Sequence, residues 1–324
     1  VPFSMPNCLL KKDILMPNEI CAFAPASIGN VSVGFDCLGM ALSSPGDTVY
    51  LKKGNVPGVH ISDIKGDNGK LPLKADENVA GVVVLHMLKA LGRDDALELR
   101  LEKGLPLKSG LGSSAASAVA AAVAANAFFG YPFTRKELLP FAMEGERLAC
   151  GAPHVDNVAP ALLGGITLIR SYEPLDIISI SYPERLRCAV VHPDVAVATR
   201  DARAALPASV PLDLAVRQSS YLAAFIAGLQ QGDMDLIARS MIDLIAEPAR
   251  KHLIPYLDEV KEAAISAGAL ACGISGSGPS IFALCNGVKA AEEAAKAMGA
   301  VYTAHHVQNE TYISGINANG AKVL

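Results

Sequence analysis

The chain has 324 residues, 51% of them hydrophobic, with 28 Lys and Arg set against 32 Asp and Glu. That length suggests about two domains with ample core material. A net charge of −4 and no basic face argue against a nucleic-acid partner. Seven cysteines, at 8, 21, 37, 150, 188, 272 and 285, form no CxxC pair and read as reduced thiols in a cytoplasmic protein. The longest apolar run, 115–129, contains Ser117 and Asn126 and is too short to span a bilayer, so no membrane role is expected. Residues 1–19 lack the apolar stretch of a signal peptide.

In chain order, 20–24 reads as a first strand entering APASIGNVSVGFDCLGMAL, residues 24–42. Gly29, Gly34 and Gly39 surround two polar residues there, Asn30 and Asp36. They are either turn residues of a glycine-rich bend or an amide and a carboxylate aimed at a ligand. Residues 47–52 alternate as a strand, and 55–74, rich in Gly, Pro and Asp, reads as a hairpin or surface excursion. Asp76-Glu77-Asn78 signals the start of a helix that stops at Gly92. Asn78 either caps that helix or faces a ligand, and His86 within it reads as packed.

The stretch GLPLKSGLGSSAASAVAAAVAANAFFG, 104–130, comes after a strand at 97–102. Glycines 104, 110 and 112 allow positive φ and close approach of a ligand to the main chain. Ser113 and Ser114 open a small-residue helix, and serine is a favoured N-cap. A glycine loop running into a helix N-terminus is an anion site, most often for phosphate. Gly110–Ala115 also matches the dinucleotide pattern G-x-G-x-x-G/A, but the preceding loop is too long for that turn. A Walker loop is excluded because no Lys stands after the second glycine. A glycine loop that merely caps a buried helix is the remaining alternative.

Thr134 and Glu137 form a capping box, and Pro140 is expected to break or kink the segment after it. Residues 142–165 crowd together Glu144, Glu146, Arg147, His154, Asp156 and Asn157. His154 has no His or Cys at zinc spacing, whereas a carboxylate with a distant hydroxyl suits Mg²⁺. A strand comes next at 166–170, and a composition shift over 171–183 marks a domain boundary. The second half reads as strands at 187–191, 269–273, 281–285 and 300–307, with helices at 212–229, 234–245, 256–267 and 288–298. This alternation suggests an α/β sandwich with helices on one face. Arg200, Arg203 and Arg250 are either solvated or anion-binding. The loop 273–280, GISGSGPS, is a turn or a close approach to a ligand.

Together these motifs resemble the GHMP kinases. PLKSGLGSSAAS (106–117) is similar to that family's phosphate-binding motif, APASIGNVSVGFDCLG (24–39) to its N-terminal motif, and GISGSGPSIFAL (273–284) to its C-terminal glycine motif. Within the family the likeness is nearest to the homoserine kinases, through SIGNVSVGFD, GERLACGAPHVDNVAP, ATRDARAALP and AEPAR. The resemblance implies an α+β fold of two domains. Residues 16–180 would form an ATP-binding domain of the ribosomal protein S5 domain 2 type, with a left-handed crossover against the usual rule. Residues 181–324 would form a ferredoxin-like C-terminal domain. It also implies a cytoplasmic homodimer.

By the same resemblance, ATP would lie on Pro106, Leu107, Lys108, Ser109, Gly110, Leu111, Gly112, Ser113, Ser114, Ala115 and Ala116, with Asn78 at the adenosine end. Ser114 and Glu146 would hold Mg²⁺. L-Homoserine would meet Asn30, Asp36, His154, Arg203 and Arg250, with Thr199 and Gly276 nearby. No side-chain general base is expected: the mevalonate kinase branch places an aspartate eleven positions after the metal-binding glutamate, and here that position is Asn157. A different small alcohol, such as mevalonate, and a non-catalytic sensor are the alternatives. Sensors of this fold usually lose loop or metal residues, and here Gly110, Gly112, Ser113, Ser114 and Glu146 are all present.

Overall fold

The computed structural model describes residues 18–324, so Cys8 and the expected domain start at residue 16 lie outside the described residues. The first part of the chain runs β1 (Glu19–Gly29), β2 (Leu38–Lys53), β3 (Gly58–Lys65), α1 (Val79–Leu91), β4 (Ala96–Glu102), α2 (Ser113–Phe128), α3 (Leu139–Cys150), α4 (Val155–Leu163), β5 (Ile166–Tyr172) and β6 (Leu175–Ile180). The second runs β7 (Leu186–Pro193), α5 (Thr199–Ala204), α6 (Leu212–Gln231), α7 (Met234–Ser240), α8 (Ala246–Arg250), α9 (Leu257–Ser266), β8 (Ala271–Ile274), β9 (Ile281–Asn286), α10 (Val288–Ala304), β10 (Asn309–Gly315) and β11 (Lys322–Val323).

The fold is α+β with two sheets. The first has the order β11-β1-β2-β4-β3, with β5 beside β2 and β6 beside β5. Among the described residues only β3 and β4 pair in parallel, and α1 makes the crossover between them. The second sheet has the order β10-β7-β9-β8 and is antiparallel. Numbered by occurrence within that sheet, its strands lie 4-1-3-2, with α9 and α10 as the two crossing helices. That is the ferredoxin-like arrangement. The chain's end returns to the first sheet, where Val323 pairs with Ala22 of β1.

Two cores arise from this plan. One lies between the first sheet and α1–α4 and continues onto one face of the second sheet with α6 and α7, and the other lies between the opposite face of the second sheet and α9–α10. α2 is the hub of the first: every residue in it except Ser114 is buried. Its run of Ala and Val has little side chain to keep neighbours away, so α1, α3, β1 and β2 all approach it closely.

Several expectations are corrected. The 55–74 stretch contains β3, an edge strand burying only Val59 and Ile61, too few apolar residues to stand out among turn formers. The 171–183 stretch, expected to mark a domain boundary, contains β6, which completes a hairpin with β5. Residues 300–304 continue α10: Ala291, Ala294, Ala295, Met298 and Tyr302 recur at helical spacing and are all buried. The strand expected there starts later, at Asn309. The helix expected over 234–245 ends at Ser240. Pro140 does not break α3 but sits in its first turn, where its missing N–H has no helical partner to lose. His86 is on the exposed face of α1 rather than packed.

Candidate active site

The glycine loop and α2 form the floor of a cleft of about 950 Å³. Gly112 (φ 64°) is the N-cap of α2 and offers no side chain, so Ser113 and Ser114 sit inside the first turn rather than capping it. This frees their hydroxyls: Ser113 Oγ reaches Leu105 O at 3.5 Å, and Ser114 hydrogen-bonds Glu146 of α3. Leu107, Lys108, Ser109, Gly110, Gly112, Ser113 and Ser114 line the cleft. Leu111, Ala115 and Ala116 turn their side chains into the core. Ala116 N–H is also committed to Gly112 O at 2.8 Å, so it is not a free donor for phosphate, and Pro106 is not in the cleft wall. Asn78 lines the cleft but acts as a cap. Its Oδ1 accepts from Ala80 N–H (3.0 Å) and its Nδ2 donates to Pro72 O (2.9 Å).

Sequence reasoning missed Lys103 and Asp47. Lys103 Nζ donates to Asp47, to Ser113 O (2.9 Å) and to Ser117 Oγ (2.8 Å), with both charged side chains almost fully buried. Asp47 also accepts from Ser117 Oγ and from Gly104 N–H. The buried pair therefore locks the entry of the loop onto the first turns of α2. A signal was available, since Asp47 opens an alternating strand in phase with the inward Val49 and Leu51, and Lys103 stands directly before Gly104.

The second glycine loop closes over the first. Ser275 Oγ donates to Gly110 O (2.8 Å), Ser280 N–H to Ser109 O (3.2 Å) and Gly276 N–H to Gly29 O (3.1 Å). A Cβ on Gly110 would lie 2.6 Å from the carbonyl oxygens of both Gly278 and Ser275. The close approach expected of 273–280 is thus made to the chain's own backbone. His192 Nδ1 lies 3.1 Å from Ser280 Oγ, and burial holds its pKa below the usual value.

The other end of the cleft is built by the turn after β1. Asn30, Val31 and Ser32 all have positive φ (67°, 44° and 57°), an uncommon conformation that costs energy, above all for a β-branched residue. The turn aims Asn30 so that Nδ2 donates to Gly276 O (2.9 Å) while Oδ1 accepts from Asp36 N–H (2.8 Å). Arg203, on α5, donates from Nη1 to both Asp36 oxygens (3.0 and 2.7 Å). Arg250, buried on α8, is fixed through Nε to Ala202 O (3.0 Å) and through Nη1 to Gly276 O (3.1 Å). Both guanidinium groups lie over the Phe35 ring, at 5.5 and 5.1 Å. Asn30, Asp36, His154, Arg203, Arg250 and Gly276 all line the cleft, and Thr199 opens α5.

Three titratable groups between the two ends are perturbed. Burial raises Glu146 to about 7, with Ser114 opposing, and Glu146 Oε1 has no hydrogen-bond partner in the protein. Burial likewise raises Asp156 to about 7, helped by the charge of Asp36. Burial lowers His154, whose Nδ1 is 4.0 Å from Asp156 Oδ1. Asn157 is committed elsewhere, accepting from Ser27 Oγ at 3.0 Å. A helix N-terminus, a buried acid–hydroxyl pair and the Asp36–Arg203–Arg250 wall therefore share one cleft.

Residues 78–165 match the profile of the GHMP kinases N terminal domain, and residues 225–304 that of the GHMP kinases C terminal domain. The chain belongs to the GHMP kinase family. Among its relatives in this family, the homoserine kinase of Chlorobaculum tepidum is 46% identical, covering 94% of this chain and 98% of that protein. The homoserine kinase of Xanthomonas campestris is 41% identical over 94% of each. The crystal structure of homoserine kinase from Cytophaga hutchinsonii superposes with a TM-score of 0.93 at 47% identity, covering 98% of this GHMP kinase and all of that chain. The L. major mevalonate kinase shares the fold at a TM-score of 0.70 and 18% identity, covering 91% of this chain and 95% of that one. No helix among the described residues is long and apolar enough to cross a membrane.

Proposed function

We propose that this GHMP kinase transfers the γ-phosphate of ATP to the hydroxyl of L-homoserine, giving O-phospho-L-homoserine, a step of threonine biosynthesis. The observation that carries this reading is the single cleft joining Gly110–Ser114 to Asp36, Arg203 and Arg250. The free N–H groups at the start of α2 receive the phosphates. Asp36 takes the substrate ammonium, and the two arginines take its carboxylate. Asn30 and Gly276 fix the turn between them.

Mg²⁺ fits the residues present. Glu146 Oε1 is a buried, unpartnered carboxylate oxygen beside the Ser114 hydroxyl, and a cation there would favour the charged form that burial disfavours. Ser114 and Glu146 would hold it, and when bound it would supply charge neutralisation on the phosphates. The chain's own residues hold the two substrates in line, and the hydroxyl proton passes to a phosphate oxygen without a side-chain base. Positioning of that kind lowers the barrier by several kcal/mol, on the order of the effect of a well-oriented intramolecular reaction.

Residues 16–180 constitute the ATP-binding domain in this reading and 181–324 the C-terminal domain, with β11 returned to the first sheet. The enzyme works as a cytoplasmic homodimer. Among the described residues, the free thiols Cys21, Cys37, Cys188, Cys272 and Cys285 are compatible with a reducing compartment. The test is ADP release from Mg-ATP in the presence of homoserine, mevalonate or galactose. Turnover with homoserine far above the other two is expected. Turnover with mevalonate instead would replace the substrate, and none with any alcohol would favour a sensor.

A further inference from the structure

Beside the substrate wall lies a second, small pocket that the reaction does not use. It measures about 10 Å³ and is lined by Asn30, Ser32, Asp243, Glu247, Arg250, Ile274 and Gly276. Three of these, Asn30, Arg250 and Gly276, are the groups assigned above to the substrate end. The volume matches one water molecule, which needs polar partners on its walls.

Those partners are present. Glu247 Oε1 accepts from Lys261; the N–H of Ile274 also faces this carboxylate, but Oε2 is buried and accepts no hydrogen bond of good geometry from the protein. Ser32 is the third residue of the left-handed turn and is buried. A Cβ built on Gly273 would stand 2.7 Å from Ser32 Oγ and 3.4 Å from Glu247 Oε2, so hydroxyl and carboxylate flank the same point on β8. Asp243 already accepts from three backbone N–H groups at the start of α8, those of Ile245, Ala246 and Glu247. Glu247 Oε2 is thus the buried acceptor left without a donor, with the Ser32 hydroxyl beside it.

We infer that Glu247 Oε2 and Ser32 Oγ hold one buried water in this space, and that the water fixes the Asn30–Ser32 turn against α8. Glu247 is then a positioning residue for the substrate end of the cleft. The physical need is clear. Three consecutive left-handed residues are unstable alone and persist only when their surroundings over-determine them. Asn30 is held from the cleft side by Gly276 and Asp36. The water supplies the hold from behind, and it links the turn to the helix that carries Arg250. Glu247 and Arg250 thus act as one unit of the motif AEPAR, one facing away from the cleft and one facing into it. The unpartnered carboxylate oxygen gains a donor, removing an unmet cost of burial.

This inference rests on the proposed substrate reading for its kinetic readout but not for its structural one. A high-resolution crystal structure of the wild-type protein should show a water within hydrogen-bond distance of both Glu247 Oε2 and Ser32 Oγ. A cavity without that density overturns the inference whatever the substrate is. Ser32→Ala removes one partner without touching the Lys261 pair. It should raise the homoserine KM about tenfold and leave the ATP KM unchanged. Gly273→Ala, which pushes a methyl group at Ser32 Oγ, should do the same and serves if Ser32→Ala does not fold. Both KM values unchanged, or both raised equally, would overturn the positioning role. Absence of any wild-type turnover of homoserine would instead count against the proposed function and leave the crystallographic arm standing.

Discussion

Arg203 spans Asp36 with a single nitrogen, Nη1, which donates to both carboxylate oxygens at 3.0 and 2.7 Å across the mouth of the cleft. Each group therefore carries the charge that the other end of an amino acid would present. A zwitterion can replace this half-exposed pair with two pairs, its ammonium on Asp36 and its carboxylate on Arg203 and the already fixed Arg250. Arg203→Ala and Arg250→Ala should each raise the homoserine KM by about tenfold to a hundredfold, the range for loss of a charge-assisted hydrogen bond, with the ATP KM unchanged. Steady-state kinetics with each substrate varied in turn checks this. An unchanged homoserine KM would remove these residues from the site.

Glu146 should matter for both activity and pH stability. Glu146→Gln keeps the shape but removes the charge, and kcat should fall by about two to three orders of magnitude. Without a divalent cation, Glu146 and Asp156 are held near 7, above the carboxylate values of an unfolded chain. The folded state then binds more protons than the unfolded one between about pH 4 and 7, so stability should decline as pH rises through that window. Urea unfolding at pH 5 and pH 8 in EDTA measures the decline. Added Mg²⁺ should reduce it, and Glu146→Gln should flatten part of it. A slope of the opposite sign would show that neither acid is held protonated by burial.

Much of this site was legible in the sequence because its motifs are short and local. The glycines of 104–112, the serines after them and Glu146 all carry their geometry in residue type. What could not be read was long-range. Asp47 and Lys103 meet 56 positions apart, and Ser275 meets Gly110 from the other half of the chain. Asn78 and Asn157 illustrate the opposite difficulty: an amide near a ligand site and an amide that caps a helix or holds a serine look alike in a sequence. The strand expected at 300–307 is absent for a local reason, because Val301 and Val307 suggest a strand while Met298 and Tyr302 set a helical period.

The contact between the two glycine loops leaves no space for a side chain. Gly110→Ala would place a Cβ 2.6 Å from two backbone oxygens at φ 78°. The loops must then separate, and the ATP KM should rise more than tenfold together with a lowered Tm, in line with the cost of overpacking at about 1–3 kcal/mol. Gly151→Ala is the control. Its φ is 77° but a Cβ there meets nothing within 4 Å, so it should lose only about 1–2 kcal/mol of stability and keep the ATP KM. Equal behaviour of the two variants would mean that backbone conformation, not the loop contact, is what matters at Gly110.

The last expectation concerns the proton of the attacking hydroxyl. Asn157, which stands where a base would be counted, cannot accept that proton and is tied to Ser27. Asp36 is occupied by Arg203, and His154 is depressed by burial. Asp156 is the serious candidate, because it is held at about 7 with an unpartnered Oδ1 4.0 Å from His154 Nδ1. Its backbone hydrogen bonds, however, include the N–H of Asn30, so its carboxylate props the same turn that aims Asn30. That is a positioning role, and it leaves the proton to a phosphate oxygen. Asp156→Asn and His154→Ala should therefore lower kcat by less than about a hundredfold, with the larger effect on the homoserine KM. The log kcat profile of the wild type should show no break near pH 7 that either substitution removes. A loss of about four orders of magnitude in kcat with homoserine binding intact, or a break at pH 7 that vanishes in Asp156→Asn, would identify a general base and overturn the assignment.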